Sequence, residues 1–374
     1  MDITLVAGKG GMSNIVTWVH IVETAENSDF LDGGQLVFTT GIGLNSTAGI
    51  VDLLKAFENK NVAGVIFNIG PFIDEIPQEA KQYGDEHNLP IFTVPWRVHL
   101  AEIMRICCYA LTKEEQRTME ISAAFKNAIS FPKQEELYVV SLSQRSFQAN
   151  WKYSAAVMQL NGTAEDAEER IENLCIQLES KFHADSKKTV FFANGAELVA
   201  VFANLDQEEL LIKAREIRTS VKMFLKKEET VSIGVGRLTQ SIRCLYKSYN
   251  QAKSIERLQA GGKIDSDEIF YTNLGIYRLL MGIEDKEIMT EYYNQTIKPI
   301  VDYDEANESD LCATLRCYLK HDGSVKETAE ELFVHRNTIN YKLNKIEELL
   351  GVDMSSLSAR SQLLIAFSLQ DIMC

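Results

Sequence analysis

The stretch of residues 328–343, Thr-Ala-Glu-Glu-Leu-Phe-Val-His-Arg-Asn-Thr-Ile-Asn-Tyr-Lys-Leu, limits the fold more than any other part of the chain. Ile339, Leu343, Ile346 and Leu350 recur at spacings of four, three and four, so at about 100° per residue they share one face of a helix. That face must be buried. The opposite face is centred on Asn337, Tyr341 and Asn344, with Thr338 and Lys345 on one flank and Asn340 on the other. Upstream, Val325, Ala329 and Leu332 are spaced to pack a first short helix onto the second, and small Ala329 permits close approach at the corner. Two short helices meeting at a tight turn follow the grammar of a helix-turn-helix, although an ordinary helical hairpin satisfies the same spacing.

Residue identity adds what spacing leaves open. Asn matches the donor and acceptor edge of adenine, Arg and Lys match guanine, and hydroxyls bind phosphate or either base edge. From His335 to Ile346 the chain carries Arg336, Lys342 and Lys345 and no acid, in a protein with a formal net charge of −15. Such a charge disfavours attraction to phosphate over the whole surface, so any nucleic-acid contact is local. The candidates for base or phosphate contact on double-stranded operator DNA are Arg336, Asn337, Thr338 and Tyr341, with Lys342 and Lys345 supporting at the backbone. Most other acids, Glu165, Asp166, Glu168 and Glu169 among them, read as a solvated surface.

A chain of 374 residues has room for two to three domains. Over residues 1–97 strand and helix signals alternate. Leu36-Val37-Phe38-Thr39-Thr40, Val62-Ala63-Gly64-Val65-Ile66-Phe67 and Ile91-Phe92-Thr93-Val94 are short apolar runs, joined by helical patterns at 47–60 and 78–86. This predicts a βαβαβ unit with a parallel sheet covered on both faces. Ligands of such sheets bind beyond the carboxyl ends of the strands. There the sequence places Thr39, Thr40, Gly41 and Gly43, then Asn68 and Gly70, then Pro95 and Trp96, a set suited to a small anion or polar metabolite. Ordinary strand-to-helix turns would use the same glycines. No standard nucleotide-binding loop follows a strand, and Gly8-Lys9-Gly10-Gly11, ahead of every strong strand, reads as a turn.

Residues 98–130 form one long helical pattern with Leu100, Ile103, Met104, Cys107, Ala110 and Leu111 on its apolar side, either a signalling or dimer helix or one packed on its own domain. Beyond 137 we expect strands near 154–160, 188–193, 197–202 and 231–236 and helices near 164–183, 207–227 and 240–259. That order is the split βαβ, ferredoxin-like plan. Thr163 is placed to cap the first of these helices, and Asn194-Gly195 signals a type I′ hairpin. Gly351 marks a helix stop after the second helix of the motif, and residues 363–369 complete a small helical bundle.

Seven cysteines include no Cys-x-x-Cys pair, which suggests reduced thiols. Cys312 and Cys317 lie on different faces of a helix with no histidine at ligand spacing beside them, so no metal or other cofactor is expected. With no basic leader before an apolar stretch and no run of 18 apolar residues, the chain reads as a cytoplasmic protein without a membrane partner.

The run from Leu311 to Leu350, and above all residues 328–343, resembles the C-terminal helix-turn-helix of PucR/CdaR-type bacterial transcriptional regulators. Val6-Ala7-Gly8, Gly11, Ile15-Val16, Trp18-Val19, Leu31-Asp32-Gly33-Gly34-Gln35 through Gly41, and Leu89-Pro90-Ile91 through Pro95 resemble the PucR N-terminal domain. Val231-Ser232-Ile233-Gly234-Val235-Gly236 and Ser248-Tyr249-Asn250-Gln251-Ala252 resemble the GGDEF-like middle domain of the CdaR group. True cyclases of that superfamily hold metal and guanosine triphosphate at a Gly-Gly-Asp/Glu-Glu-Phe hairpin; here the matching stretch is Asn194-Gly195-Ala196-Glu197-Leu198, and residues 155–160 carry no aspartate for Mg²⁺. The resemblance implies a multidomain α/β protein. Its parts would be a parallel α/β sensory domain (1–97), a helical connector (98–136), a degenerate GGDEF-like ferredoxin-like α+β domain (137–261) and an all-α C-terminal region with the helix-turn-helix (262–374). It implies a dimeric, non-enzymatic regulator of operator DNA under control of a small-molecule effector, linked by the family's name to purine or nitrogen catabolism. The alternatives are a signalling or interaction protein without DNA binding and a nucleotide cyclase.

Overall fold

Apolar runs such as Val65-Ile66-Phe67 have no polar side to offer water, so they form the interior of a sheet that is covered twice. The computed structural model describes residues 2–44, 46–162, 167–283 and 285–373. Thr163, with Glu165 and Asp166, lies outside the described residues, and so does the cap expected there. The chain divides into two compact units at Ile121 and Ser122.

In the first unit the elements are β1 (Thr4–Ala7), β2 (Trp18–Ile21), β3 (Gln35–Thr39), α1 (Thr47–Asn59), β4 (Gly64–Ile69), α2 (Gln78–Glu86), β5 (Ile91–Pro95) and the start of α3 (Leu100–Ser130). Sheet order is β1-β5-β4-β3-β2. β2 to β5 run parallel, and β1 pairs antiparallel with β5. Ile50, Leu53, Leu54 and Phe57 of α1 and Ala80 of α2 bury one face with Val37, Val65, Phe67 and Ile91. The other face, Val19, Phe38, Ile66 and Val94, is covered by Leu100, Ile103, Met104, Cys107 and Leu111 of α3. Ala110, expected on that apolar side, is exposed. Ser46 caps α1 by accepting from the Gly49 amide.

Two edge strands escaped the sequence reading. Because β1 precedes it, the Gly8 to Gly11 segment is not ahead of the sheet but a short 3₁₀ turn that leaves an edge strand. Gly8 has φ of 74°, and a Cβ there would come within 1.9 Å of the Leu89 carbonyl oxygen.

The second unit begins with the end of α3, where Ala124, Phe125 and Ala128 are buried and Phe125 meets Phe147 edge-on at 5.2 Å. There follow α4 (Val139–Gln144), β6 (Tyr153–Asn161), α5 (Ala167–Lys181), β7 (Thr189–Asn194), β8 (Glu197–Ala203), α6 (Gln207–Phe224), β9 (Thr230–Val235) and α7 (Leu245–Ala260). The sheet is antiparallel in the order β7-β8-β6-β9, which is the ferredoxin-like arrangement. Ile171, Leu174 and Leu178 of α5 and Leu210, Ala214, Ile217 and Val221 of α6 share a core with Met158, Phe191, Phe202 and Ile233. Asp206 and Glu209 form a reciprocal capping box at the start of α6. The β7–β8 hairpin differs from the expected type I′: Asn194 pairs with Glu197, and within the loop Gly195 alone has positive φ, 62°. That is the type II′ pattern. The Asn194 amide donates to Tyr249 Oη at 3.2 Å, which keeps Asn194 in the ladder rather than in the loop.

α7 lies directly on β6 and β9. The hydroxyl of Ser248 accepts from the Ala155 amide at 3.0 Å, and Gly234 and Gly236 face the backbone of Ala252 and Ser248. The chain ends in α8 (Ile276–Leu280), α9 (Lys286–Thr296), α10 (Lys298–Asn307), α11 (Leu311–Lys320), α12 (Val325–Glu331), α13 (Arg336–Leu350) and α14 (Leu357–Met373). A Cβ on Gly234 would fall 1.9 Å from the Ala252 carbonyl oxygen, a backbone atom that side-chain motion cannot relieve. Gly234→Ala is therefore expected to destabilise this sheet by about 1–3 kcal/mol or more, measured as earlier urea unfolding and faster amide exchange in β6 and β9 with the first unit unchanged.

Candidate functional site

The helix-turn-helix is assembled from α12 and α13 on a bed of α11 and α14. Ser324 caps α12 by accepting from the Glu327 amide at 3.3 Å, and His335 caps α13 with Nδ1 accepting from the Asn337 amide at 3.2 Å. Ile339, Leu343 and Ile346 are buried together with Ala329, Leu315, Phe367 and Ala366, while Leu350 is half-buried against the same core. α13 ends at Gly351, in the left-handed conformation. The corner between the helices contains Phe333, also left-handed (φ 54°) and 95% exposed. A bulky residue in that conformation carries strain of about 1–3 kcal/mol.

Burial of one side of α13 turns the other side outward. Arg336, Asn337, Thr338, Asn340, Tyr341 and Asn344 are all exposed, Tyr341 at 73%. Arg336 has no side-chain partner among the described residues. The two lysines differ from it. Lys342 Nζ lies 2.5 Å from Asp310 and donates to Thr314 Oγ1 at 3.3 Å. Lys345 Nζ lies 2.7 Å from Glu348 and 5.5 Å from the centre of the Tyr303 ring.

At the carboxyl ends of the parallel strands, the Thr39, Thr40 and Gly41 cradle already holds an anion from its own chain. The Glu23 carboxylate accepts from Thr39 Oγ1 at 2.9 Å, Thr40 N at 3.0 Å, Thr40 Oγ1 at 2.9 Å and Gly41 N at 3.1 Å. Glu23 stands two residues beyond β2. Without that edge strand in view, nothing in the sequence tied it to the cradle. Asn68 is buried and its amide spans the carbonyls of Pro95 (3.3 Å) and Val98 (3.4 Å). Gly70 leaves room for Trp96, whose Cβ would be 2.6 Å from any added methyl, and the half-exposed Trp96 ring meets Phe72 at 5.8 Å.

The hairpin of the middle domain does not fit the metal and nucleotide of the cyclases. Glu197, its one carboxylate, is buried with Tyr249 Oη donating to it at 2.5 Å and Lys253 at 2.5 Å. β6 carries no acid. Beside Glu197, Glu256 is 2% exposed, and burial followed by the charge of Glu197 raises its pKa to about 7, against partial relief from Arg257 and Lys253.

Comparison with known proteins names the parts. Residues 1–111 match the purine catabolism regulatory protein-like family (PucR), residues 142–258 the GGDEF-like domain, and residues 311–369 the PucR C-terminal helix-turn-helix domain. In all three parts the chain is similar to PucR/CdaR-type regulators. Among curated relatives it is 30% identical over 200 residues to the proline-responsive transcriptional activator PutR of Bacillus subtilis, covering 52% of this chain and 49% of PutR. It is 23% identical over 264 residues to the DNA-binding transcriptional activator AdeR of the same organism (67% and 58%). It is 29% identical over 168 residues to the purine catabolism regulatory protein of that organism (41% and 30%). The chain thus spans between about a third and three fifths of these relatives. No helix among the described residues is long and apolar enough to cross a membrane.

Two outcomes are expected of this chain. Glu23→Ala leaves the buried Thr39 hydroxyl and the Thr40 amide without their carboxylate acceptor and costs about 1–3 kcal/mol; in thermal unfolding, acetate but not chloride restores part of the loss, in the variant alone. Glu256, with a folded pKa above the ordinary 4.5, binds a proton that the unfolded chain has shed, so its contribution is complete below about 4.5 and lost as pH rises through about 7. Glu256→Gln should therefore flatten the fall in stability between those values and exceed the parent protein at pH 8, as followed by urea midpoints.

Proposed function

We propose that this chain is a DNA-binding transcriptional regulator. It is divided into a sensory α/β domain (1–97), a helical connector (98–136), a non-catalytic GGDEF-like domain (137–261) and a helical region ending in the DNA reader (262–374). The observation that carries the reading is the outward face of the first three turns of α13, residues 336–346, polar and free of acid, with Arg336 unpaired at its start. In the major groove Arg336, Asn337, Thr338 and Tyr341 contact bases or nearby phosphates. Lys342 and Lys345 reach the backbone only by exchanging Asp310 and Glu348 for phosphate, so they add less than free lysines would. The curated relatives named as transcriptional activators support the same output.

With so few cations a single reader binds modestly, and a homodimer presenting two readers about one helical turn of DNA (~34 Å) apart supplies the rest. The input is a small metabolite of purine or nitrogen catabolism, bound at the carboxyl edge of the first sheet by Thr39, Thr40, Gly41, Asn68, Gly70 and Trp96. An anionic effector competes there with Glu23; an aromatic one stacks on Trp96. Such a protein works in the cytoplasm, without a membrane partner.

Footprinting on DNA upstream of the adjacent genes, with and without candidate metabolites, locates the operator and the effector together. On that operator Arg336→Ala is expected to cost about 1–3 kcal/mol, and the double variant with Tyr341→Ala more, with a shallower salt dependence. Mobility-shift titrations that show unchanged affinity and salt slope would sink the DNA reading and favour an interaction protein.

A further inference from the structure

Cys317 and His321 stand four residues apart at the end of α11, one helical turn, which brings thiol and imidazole to the same side. The expectation that no histidine stands at ligand spacing beside Cys317 is corrected here, because His321 follows it by one helical turn. Glu331, the last residue of α12, closes the triangle, and one ligating atom from each of the three lies within 4.8 Å of the others. His321 Nε2 is 2.6 Å from Glu331 Oε2, and its Nδ1 faces Glu327 Oε2 at 3.5 Å. Lys320 Nζ also approaches Glu331, at 2.9 Å, from an exposed position that leaves it free to swing into solvent.

We propose that Cys317, His321 and Glu331 form a zinc-class metal site that fastens the end of α11 to the end of α12. One soft thiolate, one imidazole and one carboxylate are donors for Zn²⁺ or Co²⁺, whereas Mg²⁺ and Ca²⁺ take oxygen ligands throughout. Metal–sulfur bonds of about 2.3 Å and metal–nitrogen or metal–oxygen bonds of about 2.0–2.2 Å put the ligand atoms of a filled site roughly 3.5 Å apart. Side-chain rotation reaches that spacing from the present one. Glu327 supplies what a metal-binding histidine needs on its other nitrogen, a carboxylate that fixes the tautomer and aims Nε2 at the ion. Binding releases the thiol proton to solvent, moves Lys320 aside and leaves a fourth position for water. The metal thereby replaces a hydrogen-bonded contact with a coordinated one beneath the helix that packs on α13. The site does not depend on DNA recognition, and its test does not use DNA.

Full-length reduced protein, stripped with chelator, is titrated with Co²⁺. The expected result is one equivalent per chain with thiolate-to-cobalt charge-transfer absorption, displaced by Zn²⁺, and a rise in thermal midpoint with Zn²⁺. Cys317→Ser and His321→Asn should each lose the absorption and the thermal shift, Cys312→Ser should keep both, and Glu327→Gln should keep the absorption while weakening Zn²⁺ about 10–100-fold. Since Cys317 is buried, His321→Asn at a partly exposed position decides the matter if Cys317→Ser fails to fold. Absence of stoichiometric uptake, or an absorption that persists in His321→Asn, overturns the site.

Discussion

A carboxylate can enter the interior of a folded chain only with partners that replace its water, and in a protein of net charge −15 this requirement organises much of the structure. Arg170 of α5 meets Glu229 with two parallel hydrogen bonds at 2.9 Å, both side chains nearly buried, and also donates to the Phe224 carbonyl at 2.6 Å. That bidentate pair joins α5 to the turn between α6 and β9 and holds the Glu229 carboxyl below its usual range. Asp371 of α14 collects Arg316 at 3.1 Å, Tyr277 at 3.0 Å and Lys263 at 3.4 Å, tying the terminal helix to α11 and α8 and to the segment after α7. Asp304 accepts from Ser309 and from the amides of Leu311 and Cys312, so an acid of α10 neutralises the positive end of α11. These few acids are joints between elements.

The same economy reaches α13. Lys342 and Lys345 answer Asp310 and Glu348, so the charge that a count of residues assigns to this segment is partly spent inside the domain. What remains outward is Arg336 and a band of amides and hydroxyls, groups that discriminate bases better than they attract phosphate. A DNA reader built this way, as proposed, would gain selectivity at the expense of affinity, and pairing two copies would make up the difference.

Periodicity made the large elements legible. The pattern at 47–60 became Thr47–Asn59, that at 78–86 became Gln78–Glu86, and the order of the middle strands and helices emerged as read. Those segments bury whole faces, and burial writes itself into spacing. β1 and β2 did not show, because an edge strand of four residues buries little: Trp18 and Ile21 are half exposed. The hairpin type was missed because a side-chain bond between Asn194 and Tyr249, far apart in sequence, overrode the local Asn-Gly preference. Glu23 in its cradle belongs to the same class, a contact set by strand order and invisible until β2 is placed beside β3. Long-range polar pairing is what one sequence conceals.

The GGDEF-like domain puts its hairpin carboxylate to structural use. A hairpin carboxylate that holds metal must face solvent and keep free lone pairs. Glu197 faces inward and gives them to Tyr249 and Lys253, and the side chain of Asn194 joins the same cluster. These contacts clamp α7 to the hairpin on the side where Gly234 and Gly236 let that helix touch the sheet. Restoring a metal there would first require withdrawing Glu197 from this cluster, which would leave Tyr249 without its acceptor and Lys253 without its counter-ion. The hairpin carboxylate is therefore committed to holding α7 against the sheet, at a position where the cyclases place a metal ligand.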